Sequence, residues 1–134
     1  MAFIDFTESE LVNVKDIDNQ HLKMVNIINR IHSGITKNRN YNYTSDLRVL
    51  IDEIEFHFET EERYMKENHF PGYYSHKLEH DRFFTQMVNN FEKMKEDRSI
   101  NIGEQLISFK RWFYNHLDLS DKKCGTFLNS KGIL

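Results

Sequence analysis

The sequence predicts an all-α protein, an antiparallel up-down-up-down four-helix bundle with an N-terminal arm. Three observations carry this. Glycine and proline are scarce, at five and one in 134 residues, whereas all-β folds need many turns. Apolar residues recur at three- and four-residue steps in four separate stretches. The breaks between the stretches are short, and helices of similar length joined by short loops pack as antiparallel neighbours.

Residues 1–16 read as the arm, with Phe3, Phe6, Leu11 and Val14 available to pin it. The first helix is expected over about 17–37, where Ile17, Met24 or Val25, Ile28, Ile31 and Ile35 share a face, with Asp16 as N-cap. The polar run Asn38-Arg39-Asn40 ends it. A second helix, about 44–68, can start from Thr44 or Ser45, both good caps. Its inward stripe is Leu47, Leu50, Ile54, His57, Glu61 and Tyr64/Met65. It stops before Asn68-His69-Phe70-Pro71-Gly72, the only strong breaker. The third helix, about 73–96, carries His76, His80, Phe83/Phe84, Met87, Phe91 and Met94 inward. Asn101-Ile102-Gly103-Glu104 has the form of a capping box with Asn in place of Ser or Thr. The fourth helix, about 102–120, then presents Leu106, Phe109, Trp112/Phe113 and His116. The tail from Lys122 has room for one more short helix. With no repeat, low-complexity segment or second domain, residues 1–134 read as one domain.

A net charge of −3 with both signs interspersed gives no basis for a nucleic-acid or anionic-membrane partner. No long uncharged apolar run suggests a membrane span, and the opening MAFIDFTESE lacks the pattern of a secretion signal. The lone Cys124 cannot form an internal disulfide, which fits a reducing cytoplasm; it reads as a packed small residue. A monomer is expected.

The chemistry-bearing residues are five histidines and two carboxylates. On a helix, residues four apart share a face, with Cβ atoms roughly 5–6 Å apart. His57 with Glu61 has that spacing, and so has His76 with His80. His21 and His76/His80 lie near the starts of the first and third helices, and His57/Glu61 and His116 near the ends of the second and fourth. In an antiparallel bundle these positions meet at one end. Asp121 follows His116 by five residues, about 140° around an ideal helix. It faces the same centre only if the helix ends there or contains a π-type turn; Asp118 points nearly opposite. His32 lies eleven residues beyond His21, roughly 16 Å along the axis, too far to join. His69 sits beside Pro71 at a helix end. Both are read as exposed or locally hydrogen-bonded, and Glu59 and Glu62 as surface charges.

One histidine on an apolar stripe is usually a packed, hydrogen-bonded side chain. Five imidazoles and a carboxylate buried together without a metal would leave many polar groups in need of partners. Imidazole nitrogens with one or two carboxylates suit iron, zinc or manganese, and the absence of thiolates disfavours structural zinc. The Glu-x-x-His pairs of carboxylate-rich di-iron bundles are missing.

Ile17-Asp18-Asn19-Gln20-His21, the run from His57 to Glu61-Glu62, His76-x-x-x-His80 and Trp112-x-x-x-His116-x-x-x-x-Asp121 resemble the successive signatures of the hemerythrins, in particular the single-domain bacterial type. The likeness covers nearly the whole chain. It implies reversible O2 binding at two iron ions (Fe2+/Fe3+) with a bridging oxo or hydroxo group. By position in the motif, His76, His80 and His116 would bind one iron, and His21 and His57 the second, leaving an open place for O2. Glu61 and Asp121 would bridge them, since Asp121 matches the family's bridging aspartate. Phe113 and Trp112 are the expected O2-pocket residues, with Phe56, Phe58, Tyr64, Phe83, Phe84 and Phe109 as further lining. Phe113 departs from the family, standing where many relatives have leucine; Phe6 stands where tryptophan is frequent. The resemblance implies an O2 carrier rather than an enzyme, with storage, delivery or scavenging as roles. The alternatives are a di-iron enzyme that scavenges peroxide or nitric oxide, and an O2- or iron-sensing module.

Overall fold

A computed structural model describes residues 2–97 and 101–134. After a 3-10 turn at Glu8–Glu10, the chain forms α1 (Lys15–Lys37), α2 (Thr44–Glu67), α3 (Tyr73–Glu96) and α4 (Ile102–His116). A π-helical segment (Leu117–Asp121) then leads into α5 (Lys122–Ser130). Among the described residues there is no strand, and no helix long and apolar enough to cross a membrane.

Cross-links between neighbouring helices fix their directions. From α1 to α2 they run Gln20 to Thr60, Lys23 to Glu53 and Arg30 to Asp46, one number rising as the other falls. From α2 to α3, Phe58 meets Phe83 and Glu62 meets His80. From α3 to α4, Glu79 meets His116, Phe83 meets Trp112 and Asn90 meets Gln105. Each pair is antiparallel, giving the up-down-up-down bundle.

The apolar stripes explain the packing. Ile17, Met24, Val25, Ile28 and Ile31 of α1 are buried with Leu47, Leu50, Ile54 and Met65 of α2. Each fully buried Ile or Leu contributes about 1.5–3 kcal/mol. The inner face of α3 is thinner. Only His76, His80 and Phe91 are buried, while Phe83, Phe84, Met87 and Met94 are half-buried. A cavity of about 230 Å³ lies between α2, α3 and α4, lined in part by Met87, Phe91, Met94 and Leu106.

Two expected caps are replaced. Helix α1 begins at Lys15 with Val14 as N-cap and no side-chain cap, so Asp16 lies inside the first turn and accepts from the Tyr64 hydroxyl at 2.6 Å. The nearby carboxylate of Asp18 is drawn instead to the arm, accepting from the Val12 and Asn13 N–H groups at 2.8 and 3.0 Å. Helix α2 begins at Thr44, but neither Thr44 nor Ser45 caps it; the Asn42 side chain accepts from the Thr44 N–H at 3.1 Å. Asn101 does cap α4, accepting from Gly103 and Glu104. A reciprocal capping box forms elsewhere, between Thr7 and Glu10 in the arm.

The arm is held by more than its aromatics. Ile4 and Val12 are buried along with Val14, while Phe3, Phe6 and Leu11 are half-buried. The Asn29 amide accepts from Ile4 N–H at 2.8 Å and donates to Ile4 C=O at 2.9 Å, imitating a strand pairing from a helix side chain.

Candidate metal centre

His21, His57, Glu61, His76, His80, His116 and Asp121 meet at one end of the bundle, and none exposes more than 6% of its surface. Two groups of donor atoms form there. Glu61, His76, His80, His116 and Asp121 make one, and His21, His57, Glu61 and Asp121 the other, each with its atoms within 4.8 Å of one another.

The first pocket is built from three inward Nε2 atoms. His116 Nε2 lies 3.1 Å from His80 Nε2 and 3.0 Å from His76 Nε2. Donors at right angles around an ion with bonds of about 2.1 Å lie about 3.0 Å apart, so the spacing fits one shared cation. The outer nitrogens agree. His80 Nδ1 lies 2.8 Å from Glu62 Oε2, and His116 Nδ1 lies 2.7 Å from Glu79 Oε2. Ionised carboxylates only accept, so both Nδ1 atoms carry a proton directed outward, and each ring turns its Nε2 inward.

Glu61 and Asp121 lie between the pockets and divide their oxygens. Asp121 Oδ1 is 3.1 Å from His76 Nε2 and 3.0 Å from His116 Nε2, while its Oδ2 is 3.3 Å from His21 Nε2. Glu61 Oε1 lies against His76 Nε2 and 3.6 Å from His80 Nε2, while its Oε2 is 3.1 Å from His57 Nε2. Both Glu61 oxygens, Asp121 Oδ1 and His21 Nδ1 are buried without a hydrogen bond. Carboxylate oxygens left so in a dry interior are costly unless something else satisfies them.

The π segment delivers Asp121. The Lys122 N–H reaches back five residues to Leu117 C=O. This wider turn carries the chain further around than an α-turn and brings a residue five after His116 onto the inner face. Asp118, 61% exposed, points out and pairs with Lys122 at 3.0 Å.

Charges respond to the crowding. Burial pushes the Glu61 carboxyl up, but its neighbour histidines His57 and His76 outweigh this and hold it down, to about 2. Asp121 is likewise held well below the carboxylate range, because His116, His21 and His76 outweigh its burial. For His76 burial favours the neutral ring, yet Asp121 and Glu61 raise it to about 10. His116 is raised by Asp121 against the same burial. Burial and the nearby His21 lower His57. Without a cation, the two carboxylates hold a proton on His76.

Aromatic rings surround the imidazoles. Phe58 stacks on His80 with centroids 3.8 Å apart, and Trp112 stacks on His116 at 4.5 Å. Phe113 meets His21 edge-on at 5.4 Å. Trp112 therefore backs the three-histidine pocket, whereas the expected O2 pocket adjoins His21 and His57; of the two expected pocket residues only Phe113 touches that side. Phe56, expected in the lining, is 56% exposed. His32 is half-buried, stacked on Phe3 at 4.2 Å, and His69 is exposed, with a positive φ of 56°. Sequence reasoning missed the backing groups Gln20, Glu62, Glu79 and Ser120. Glu62, read as a surface charge, turns inward to His80. The available signal was adjacency: Gln20, Glu62, Glu79 and Ser120 each neighbour a site residue in the chain.

A family model described as Hemerythrin HHE cation binding domain matches residues 12–128. A bacteriohemerythrin of Methylococcus capsulatus is 26% identical over 132 residues, covering 97% of this chain and all of that one. One of Clostridium acetobutylicum is 31% identical over 127 residues, covering 90% and 97%. A crystal structure of wild-type hemerythrin superposes with a TM-score of 0.85 at 27% identity, covering 95% and 98%. From its N-terminal arm to α5, the chain belongs to the hemerythrin family.

Proposed function

We propose that the protein binds O2 reversibly at a pair of iron ions, with His76, His80 and His116 holding one and His21 and His57 the other. Glu61 and Asp121 bridge them. The observation that carries this reading is the divided carboxylate: each of the two turns one oxygen to the three-histidine pocket and the other to the two-histidine pocket. A single ion would not need that division.

A pair of ferrous ions held here by these histidines and carboxylates would supply the two electrons that reversible O2 binding requires. The chain's own residues do the rest. Glu61 and Asp121 hold the two positions close and share their charge between them. The two-histidine pocket has one protein donor fewer than its neighbour, which leaves room for a small ligand. Phe113 and Phe58 stand beside His21 and His57 and exclude water, and neither has a proton to transfer. That lining suits a carrier better than an enzyme that must protonate and release a reduced product.

The test is spectroscopic. Protein loaded anaerobically with ferrous iron should take up two irons per chain, develop oxo-bridged di-iron charge-transfer bands in air, and lose them on deoxygenation. Irreversible conversion to the ferric form, or a single bound ion, refutes the proposal.

A further inference from the structure

The outer nitrogens of the site histidines are not held alike. His80 Nδ1 donates to Glu62 and His116 Nδ1 to Glu79, both carboxylates. His57 Nδ1 donates instead to the amide oxygen of Gln20 at 2.8 Å. The amide's orientation is set from its far side, because Gln20 Nε2 donates to Thr60 Oγ1 at 3.1 Å. His21 Nδ1 is buried and has no partner. Both carboxylates thus stand behind the three-histidine pocket, and a neutral amide and a bare nitrogen behind the other.

We propose that Glu62 and Glu79 are positioning residues that make the two pockets unequal, so that a divalent ion loads first between His76, His80 and His116. A carboxylate behind an imidazole draws on its Nδ1 proton, fixes the ring's tautomer and makes Nε2 a stronger donor. An amide fixes the tautomer without adding charge. Glu79 is itself steered: Ser120 Oγ donates to the same Oε2 at 2.7 Å. Ser120 belongs to the π segment and precedes Asp121, so one short stretch of backbone aims both a shared carboxylate and the group behind His116. Glu62 is held on its outer side by Lys77 at 3.5 Å. The inference rests on the two-ion reading above.

Cobalt(II) titration of the metal-free full-length protein, followed by its visible bands, tests it. The wild-type protein should fill in two steps. At one equivalent, paramagnetically shifted Nδ1–H resonances should come from His80 and His116 and not from His57. E79Q and E62Q should weaken the first step about 10–100-fold and leave the second in place. Q20E, which puts a carboxylate behind His57, should tighten the second step, a gain that disturbed folding cannot produce. Uptake of both equivalents in one step in the wild-type protein, or E79Q and E62Q curves matching wild type, overturns the proposal. So does a Q20E second step that stays unchanged. Uptake of no more than one cobalt by the wild-type protein removes the two-ion reading itself, and this proposal with it.

Discussion

Shaving Phe113 to alanine tests the boundary of the two-histidine pocket. The ring is 2% exposed, meets His21 edge-on at 5.4 Å and lies parallel to Phe109 at 6.1 Å. Loss of a buried Phe ring costs about 3–5 kcal/mol, because the surroundings close only part of the gap. With an unfolding entropy of about 2.1 cal/mol/K per residue, that lowers Tm by roughly 10–18 °C in a chain of this length. The gap opens beside His21 and away from the rings that cover His80 and His116, so iron stoichiometry should hold at two per chain. Water then reaches the open side of the site, so autoxidation and O2 release should both accelerate, with Phe113→Leu falling between alanine and wild type. Differential scanning calorimetry measures the first effect, and stopped-flow O2 release with a timed autoxidation assay the second. A variant that melts with wild type, or whose release and autoxidation rates are both unchanged, refutes the placement of Phe113 at the ligand's edge.

The metal-free protein should have a defined pH optimum of stability. His76 is raised to about 10, so its contribution is complete below its ordinary 6.5 and is lost as pH climbs toward 10. Glu61 is lowered from 4.5 to about 2, so its contribution is present above 4.5 and is lost as pH falls toward 2, and Asp121 acts in the same direction. Urea midpoints of the metal-free protein should therefore fall between pH 6.5 and 9; a rise there contradicts the assignment. Metal binding displaces the His76 proton, so affinity should increase over the same interval. Free metal at 100-fold above its dissociation constant adds about 2.7 kcal/mol per ion, or roughly 10 °C in Tm, and chelation should reverse it; equal melting temperatures with and without metal argue against binding. Gly125→Ala should loosen the arm, because a Cβ there meets the Val12 carbonyl oxygen and lies 2.9 Å from Val12 Cβ. Overpacking of this kind costs about 1–3 kcal/mol, and faster proteolysis ahead of α1 would report it.

What was legible in the sequence follows the range of the physics involved. Helical stripes such as Ile17-Ile28-Ile31 and Leu47-Leu50-Ile54 are set by burial against whichever helix comes next, and periodicity alone exposes them. The convergence of His21, His57, His76, His80 and His116 was legible for the same reason, since antiparallel packing turns chain position into height along the bundle. Features decided by competition between nearby polar groups were not. Asp16 and Asp18 both stand near the start of α1, and nothing in their order says that Asp18 turns to the arm while Asp16 takes the Tyr64 hydroxyl. The groups behind the histidines were hidden similarly: Glu59 and Glu62 look alike in sequence, and only Glu62 has a histidine of another helix within reach.

Asp121 marks where helix arithmetic stops being sufficient. An ideal helix puts it on the wrong side of His116, and an α-helix unbroken through Asp118 would present no carboxylate inward. The π segment resolves this with wider, five-residue hydrogen bonding that includes Lys122 N–H to Leu117 C=O, which shifts the rotation of everything after it. The same shift places Ser120 on Glu79 and buries Leu117, Cys124 and Leu128. An isolated π turn gains little over an α turn from its own hydrogen bonds. Its stability must come from packing on both sides, with Leu117 and Leu128 each wholly buried around it. The distortion is thus held in place by apolar contacts beyond the site, while its effect is felt at the Asp121 carboxylate inside it.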